Sequence, residues 1–523
     1  MLLRLRRLLF PFLLAVGLII VQIFLAWFIN RQAGPDRIWL GDYLWNSADQ
    51  AVYFTYIEQA KQGALTFRNL YAPVDADRFI HLLFVPIGWL AAIFQLTPLW
   101  AHELGRWLVT FIAVYLLYRI AQTMTKDERD ARIATATIVL GGGIGWMVVV
   151  YQALNGIFPA DFSAPADVTS ETFFFPTIIG GAHIMLSTAL LAYGLHRLWI
   201  ELEPDSRSYV RSLVSITALF AIHPYFVPLV GLYVLALMLF KRLPWRYILK
   251  LACIYGVPLL LAIAPHAWSQ WHDPYRRFFI QENHLPLGSL MANIFSFLPW
   301  IGFIAWRVRK HPLKKEEYWI IAWVVVALIL ISIPSLHFKR KMLEGLAIGI
   351  MLLAFPVWKE VLGWAKCTGK IAHMGMWAMI LLSPLSLVQS QVAWVTRPMG
   401  RGDEFFMSQD LVQAWQWLRT STPGDTVILP DDAWVGVWTP PNSERYVWIG
   451  HDHETPEWRK RRAFLEELFA SQNPRRVQEM LKEAGTDMIM TTRAKNAVFL
   501  QQNAGPAWQE EKRFGAVVIW AKK

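Results

Sequence analysis

Phe79-Ile-His-Leu-Leu-Phe-Val-Pro-Ile-Gly-Trp-Leu-Ala-Ala-Ile-Phe-Gln-Leu96 is the stretch on which the threading of this chain turns. It is apolar, short for a span, and holds Pro86 and Gly88. Crossing a bilayer core of about 30 Å takes roughly 20 apolar residues. If 79–96 crosses, every later loop changes sides; if it is an interfacial or re-entrant helix, none does. Charge decides. With 79–96 kept out of the count, the N-terminus and segments 119–132, 197–211, 241–250, 307–315 and 359–370 share one side. They carry about 22 Lys and Arg, including Lys241, Arg242, Arg307, Arg309, Lys310, Lys314 and Lys315, which the positive-inside rule makes cytoplasmic. The opposite choice breaks that rule almost everywhere downstream.

Working outward, the expected spans are 8–29, 103–121, 131–152, 174–200, 209–223, 225–240, 246–265, 289–306, 318–335, 342–361 and 373–392. His223-Pro224 breaks 209–240 into two halves, and a single broken span there would shift the parity. Of the 523 residues, 55% are hydrophobic and 27 are Trp, a composition that excludes an ordinary soluble protein and suits aromatic belts at two interfaces. The formal charge of +11 lies mostly in short loops between spans, so topology accounts for it without nucleic acid. Cys253 and Cys367 are the two cysteines, and no disulfide framework is expected. The basic start Met1–Arg7 precedes an apolar run too long for a signal-peptide core, with no small-residue cleavage site after it. It reads as an uncleaved first span with a cytoplasmic N-terminus.

The fold class is therefore a polytopic α-helical membrane protein of about eleven spans plus interfacial helices, ending in a small C-terminal α/β domain. The membrane domain is 1–396, with a long first loop at 30–102 on the trans side; 397–523 is a trans-side domain. Within that domain 409–420, 457–470 and 474–484 read as helices. Thr426–Leu429, Asp487–Met490 and Ala516–Trp520 read as strands. The expected location is the plasma (inner) membrane, with the C-terminal domain extracytoplasmic.

In loop one, Tyr53, Tyr56, Ile57 and Ala60 recur as one face of a short helix lying on the membrane, closed by Gly63 as C-cap. Asp49 opens this helix, with Ser47 just upstream. Either residue serves as an N-cap, or Asp49 is a carboxylate fixed at the membrane surface that accepts a proton from a hydroxyl. Asp42, Asp75 and Asp77 are further acids there, and Asp75-Ala-Asp77 has the spacing of a two-carboxylate metal clip.

An N-terminal span comes first. It is followed by Asp49-x-x-x-Tyr53-x-x-x-Ile57-x-x-Ala60-x-x-Gly63, then Asn69-Leu-Tyr-Ala-Pro73, the Leu82-x-x-x-Pro86-Ile-Gly88 run and Arg106 opening the next span. This pattern resembles the GT-C class of integral-membrane glycosyltransferases. The likeness extends to the span layout and the trans-side domain. It implies a sugar donor carried on polyprenyl phosphate, an acceptor that is a glycan, lipid or protein, and Asp49 as catalytic base or acceptor-positioning acid. Many members carry paired acids where this chain has Asp49-Gln50, which leans towards a metal-independent reaction. No cofactor is assigned, and a divalent cation stays open.

Two basic clusters fall on the trans side, where the charge rule disfavours them: Lys339-Arg340-Lys341, beside His337, and Arg276-Arg277. They are either snorkelling caps and local ion pairs, or cationic donors for a lipid phosphate. Glu171 is either a second active-site carboxylate or a helix N-terminal charge. His183 and His223 lie in or near spans, as packing residues or functional ones. His451-Asp-His453-Glu454 reads as a solvated loop, and no metal site is assigned there. Gly141-Gly-Gly-Ile-Gly145 is taken as part of a span, where glycines permit close packing. A non-catalytic lipid-binding or scaffold protein of the same fold is the alternative reading. A secondary transporter fits less well, because inverted repeats and mid-membrane charges are lacking.

Overall fold

The computed structural model describes residues 2–41, 47–73, 79–148, 151, 155, 172–203, 208–272, 290–371, 374, 377, 382, 384–385, 387–388 and 406–523. Contacts divide the chain into two compact units. One comprises 1–25, 105–266 and 284–393; the other comprises 26–104, 267–283 and 394–523. The first loop and residues 394–523 thus fall in one contact unit.

The chain is an integral membrane protein by the character of its helices. Among the described residues, Leu8–Gln32, Pro98–Thr125, Trp245–Ser269 and Lys339–Cys367 are long and apolar enough to cross. The pair Val210–Ile222 and Pro224–Phe240 adds one more if it counts as a single span. Other expected spans take the form of shorter or less apolar helices, among them Glu128–Leu140, Ala182–Glu201 and Tyr318–Ile331. Helix Phe84–Ile93 has ten residues, about 15 Å at 1.5 Å per residue, half of what a crossing needs. Arg106 lies inside the helix that begins at Pro98 rather than opening it.

Within the first unit, the break at His223-Pro224 turns the chain by 120°, so the second half does not continue the first. Segments expected on one side meet. Lys126 pairs with Glu316 and Lys359 with Asp130, while Lys241 pairs with Glu203. Segments expected on the other side meet as well: Tyr225 packs edge-on against Phe338, and the Ala347 N–H donates to the Thr172 carbonyl.

The glycine run is a correction. Helix Glu128–Leu140 ends before it, and Gly141–Gly143 is non-helical backbone, extended at Gly141, where an unbroken helix was expected. Trp300 Nε1 donates to the Gly142 carbonyl at 2.8 Å, and a Cβ on Gly143 would lie 1.7 Å from the Ser296 carbonyl oxygen. Close packing is what the glycines permit, but against an opened backbone whose carbonyl needs a donor.

In the second unit, β1 (Arg37–Trp39) pairs antiparallel with β2 (Phe406–Ser408). A five-stranded sheet has the order β4-β3-β5-β7-β6, where β3 is Val427–Pro430, β4 Tyr446–Val447, β5 Met488–Thr491, β6 Trp508–Phe514 and β7 Val517–Lys522. β4, β3 and β5 are parallel, while β5, β7 and β6 are antiparallel. Helices Trp458–Ala470, Pro474–Ala484 and Ala494–Asn503 bury Leu465, Leu468, Val477, Met480 and Leu500 with Ile489 and Val518 of the sheet.

Helix Ser47–Lys61 is not a one-faced surface helix. Ala51, Val52, Phe54, Thr55, Tyr56, Ile57 and Ala60 are all buried, and so are Gln50 and Glu58, because other helices pack on it from more than one side. It packs against Phe84–Ile93 and Ala433–Ser443. Gly88 makes the first contact close: a Cβ there would lie 2.2 Å from Ala60 Cβ. Gly436 does the same for the segment leading to residue 451, since its Cβ would meet the Ile449 carbonyl oxygen at 2.0 Å. Gly436→Ala is expected to cost about 3 kcal/mol, because backbone cannot yield as a side-chain tip can. Thermal unfolding checks this against Gly424→Ala, where nothing lies within 4 Å of the added methyl.

Candidate functional site

Asp49 stands in the first turn of helix Ser47–Lys61, where the helix dipole favours a carboxylate. The helix starts at Ser47, so neither Ser47 nor Asp49 is the residue flanking it. Asp49 Oδ1 accepts a hydrogen bond from His451 Nε2 at 2.9 Å. The imidazole is buried and the carboxylate side chain is 47% exposed. His451 Nδ1 accepts the backbone N–H of His453 at 3.1 Å and of Glu454 at 3.3 Å. An Nδ1 that accepts leaves the proton of the neutral ring on Nε2, which aims it at Asp49. The reading of 451–454 as a solvated loop is therefore corrected: His451 is 2% exposed. Tyr71 packs edge-on against its ring, Asn69 Nδ2 donates to the Glu454 carbonyl, and Trp458 Nε1 donates to the Gly450 carbonyl.

Burial alone disfavours the imidazolium. The hydrogen bond to Asp49 and the charges of Asp49, Asp452 and Glu454 outweigh burial and hold the His451 pKa above its ordinary value. Asp452 Oδ1 lies 3.4 Å from Nδ1. A raised folded-state pKa means that the pair's stabilisation is complete below the unfolded value of 6.5 and fades as pH rises through the folded one. The effect stays below about 1 kcal/mol because water screens the half-open carboxylate. The unfolding midpoint is expected to fall slightly as pH rises above 6.5, and His451→Gln is expected to flatten that dependence. Melts recorded across this range check the sign.

The first unit gathers a second polar cluster. Glu344 is fully buried and accepts from the Ser187 hydroxyl at 2.8 Å and the Thr188 hydroxyl at 3.0 Å. Lys341 Nζ lies 3.7 Å and His223 Nε2 3.9 Å from its other oxygen. His183 stacks on His223 with ring centres 5.7 Å apart. Lys341 is buried here, Lys339 and Arg340 are half-buried, and His337 is exposed, all within or beside the 3-10 turn Lys339–Leu343. Tyr53 stacks on Phe84 at 5.0 Å. Glu171, Arg276, Arg277, Asp42, Asp75 and Asp77 lie outside the described residues. Among the described residues no group of three His, Cys, Asp or Glu is arranged to hold a metal ion.

Sequence reading missed His451 as a partner of Asp49 and did not single out Glu344. Each had a signal. His451 follows the parallel strand β4, at the strand end where α/β sheets place functional groups. Glu344 is an acid in the otherwise apolar run Met342–Leu346, where ionisable residues default to a role.

No family profile and no curated protein sequence matches the chain. Solved structures do. The arabinofuranosyltransferase AftD from mycobacteria aligns with a TM-score of 0.55 over 96% of this chain and 41% of its own, at 13% identity. The fold is GT-C-like. This chain thus spans about two-fifths of that protein's length. The apo oligosaccharyltransferase of Archaeoglobus fulgidus aligns with a TM-score of 0.46, at 10% identity, over 91% of this chain and 69% of its own. The AglB oligosaccharyltransferase from the same archaeon, solved with an inhibitory peptide and a dolichol-phosphate, aligns with a TM-score of 0.45 at 11% identity over the same shares.

Proposed function

We propose that this chain is a membrane glycosyltransferase that moves a sugar from a polyprenyl-phosphate donor to an acceptor hydroxyl on the extracytoplasmic face. The carrying observation is the Asp49–His451 pair: a half-exposed carboxylate oriented by a buried imidazole whose tautomer the backbone fixes. Sharing a fold with an arabinofuranosyltransferase supports the class of reaction. Asp49 takes the acceptor's hydroxyl proton as the oxygen attacks the anomeric carbon. The bond from that carbon to the phosphate oxygen breaks, and polyprenyl phosphate leaves with the electron pair. A single displacement inverts the anomeric configuration. Lys339 and Arg340 are the proposed cations for the departing phosphate, with Arg276 and Arg277 as further candidates, while Lys341, expected with them from the sequence, is buried against Glu344. Glu171 is kept as a second carboxylate, and Tyr53 and His337 as substrate contacts.

The purified full-length chain in nanodiscs, given radiolabelled polyprenyl-phosphate sugars and neutral glycan acceptors, is expected to form an inverted glycosidic bond. A retained configuration overturns the single displacement. Failure with every lipid-phosphate sugar, while polyprenyl phosphate still binds, overturns the transferase reading in favour of the non-catalytic one.

A further inference from the structure

The parallel strands of the second unit open a crevice at one end. The chain leaves β3 towards β4 on one side, whereas from β5 it goes on towards the other side, to β6 and β7. Helices therefore diverge between the ends of β3 and β5, and such switch points are where open α/β sheets bind ligands. Asp431, at the end of β3, braces the floor. It accepts from the Thr492 and Arg493 N–H groups and from the Thr492 hydroxyl and Asn496 amide, all within 3.1 Å. Above it lies a cleft of about 970 Å³.

The walls of the cleft state a chemistry. Trp434, Trp458 and Phe499 line it with half-buried aromatic rings, and the Trp458 indole is tethered by its bond to the Gly450 carbonyl. Two of its cations are compensated, Arg493 by Asp432 and Arg462 by Glu466 at 3.0 Å, while the exposed Lys495 also lines it. Cations already matched by carboxylates make a poor seat for a phosphate. Flat apolar faces among paired donors and acceptors suit a neutral polyhydroxylated ring, which stacks its C–H face and exchanges hydrogen bonds at its edge. The volume lies at the upper end of small-molecule clefts, roughly 300–1,000 Å³, and so takes more than one sugar ring. Ala48, Gly450 and Asp452, which line the cleft, are chain neighbours of Asp49 and His451.

We infer that this cleft binds a neutral oligosaccharide, the remote part of the acceptor whose hydroxyl Asp49 deprotonates. The acceptor role rests on the proposed transferase function; the binding does not. Trp434 and Trp458 act as stacking platforms, and Asp432 with Arg493 reads the hydroxyls along the ring edge.

The test uses the full chain in nanodiscs and a panel of neutral gluco-, manno-, galacto- and arabino-oligosaccharides of three to six units. Binding is read by saturation-transfer NMR and tryptophan fluorescence. At least one oligosaccharide is expected to bind wild type and Asp49→Asn alike, to bind Trp434→Ala at least tenfold more weakly, and to recover with Trp434→Phe. In transfer assays Trp434→Ala is expected to raise KM with little change in kcat. Equal binding by wild type and a folded Trp434→Ala overturns the inference, as does binding of inorganic phosphate alone with no sugar bound. Trp434-dependent sugar binding without any transfer upholds the cleft and removes the transferase reading.

Discussion

Asp49→Asn is expected to lower sugar transfer by about a hundred- to ten-thousand-fold, the range that a positioned general base contributes. Asparagine is isosteric with aspartate, and its carbonyl oxygen still accepts the His451 Nε2–H. The variant thus keeps the helix turn and the imidazole in place and removes only the proton acceptor. Because the Asp49 side chain is 47% exposed, the unfolding midpoint should stay close to that of wild type. Donor-lipid binding should stay near wild type too, which separates loss of chemistry from loss of fold. His451→Gln preserves a donor at the Nε2 position and is expected to cost less than Asp49→Asn. If Asp49→Asn transfers sugar at the wild-type rate, the carboxylate is a structural partner of His451 and nothing more.

Glu344→Ala is expected to destabilise the membrane unit by about 3–5 kcal/mol, the usual cost of deleting one member of a buried charged pair. The truncation takes a counter-charge from the buried Lys341 ammonium at 3.7 Å and an acceptor from the Ser187 and Thr188 hydroxyls. Glu344→Gln keeps an acceptor for those hydroxyls and loses only the charge, so a smaller drop is expected. Thermal unfolding in detergent ranks the three proteins. A melt of Glu344→Ala matching wild type would show that the cluster carries no stabilisation.

How much of this was legible beforehand varied with the physics of each segment. Phe79–Leu96 was readable as a non-span because charge in distant loops constrains it and Pro86-Ile-Gly88 shortens it; the helix that forms covers Phe84–Ile93. The strand cores around Ile428, Ile489 and Val518 stood out because alternating or continuous β-branched runs mark buried strands. Strand β6 did not. Its Gln509–Arg513 stretch is polar and exposed, as suits the edge of a sheet, so it carried no hydrophobic period. Helix Ala433–Ser443 was not among the helices expected; it holds Pro440-Pro441, poor helix formers, near its end. Asp49 was found from its place at a helix start. Its partner was not, because nothing local ties Asp49 to a residue 402 positions away; only the close passage at Gly436 and Gly450 brings that loop in.

That separation has a bearing on synthesis. A growing chain presents Asp49 402 residues before His451 is made. Throughout that interval the carboxylate stands without the imidazole that orients it. Chains cut short by a stalled ribosome or a protease before residue 451 therefore carry the acid but not the imidazole that aims it.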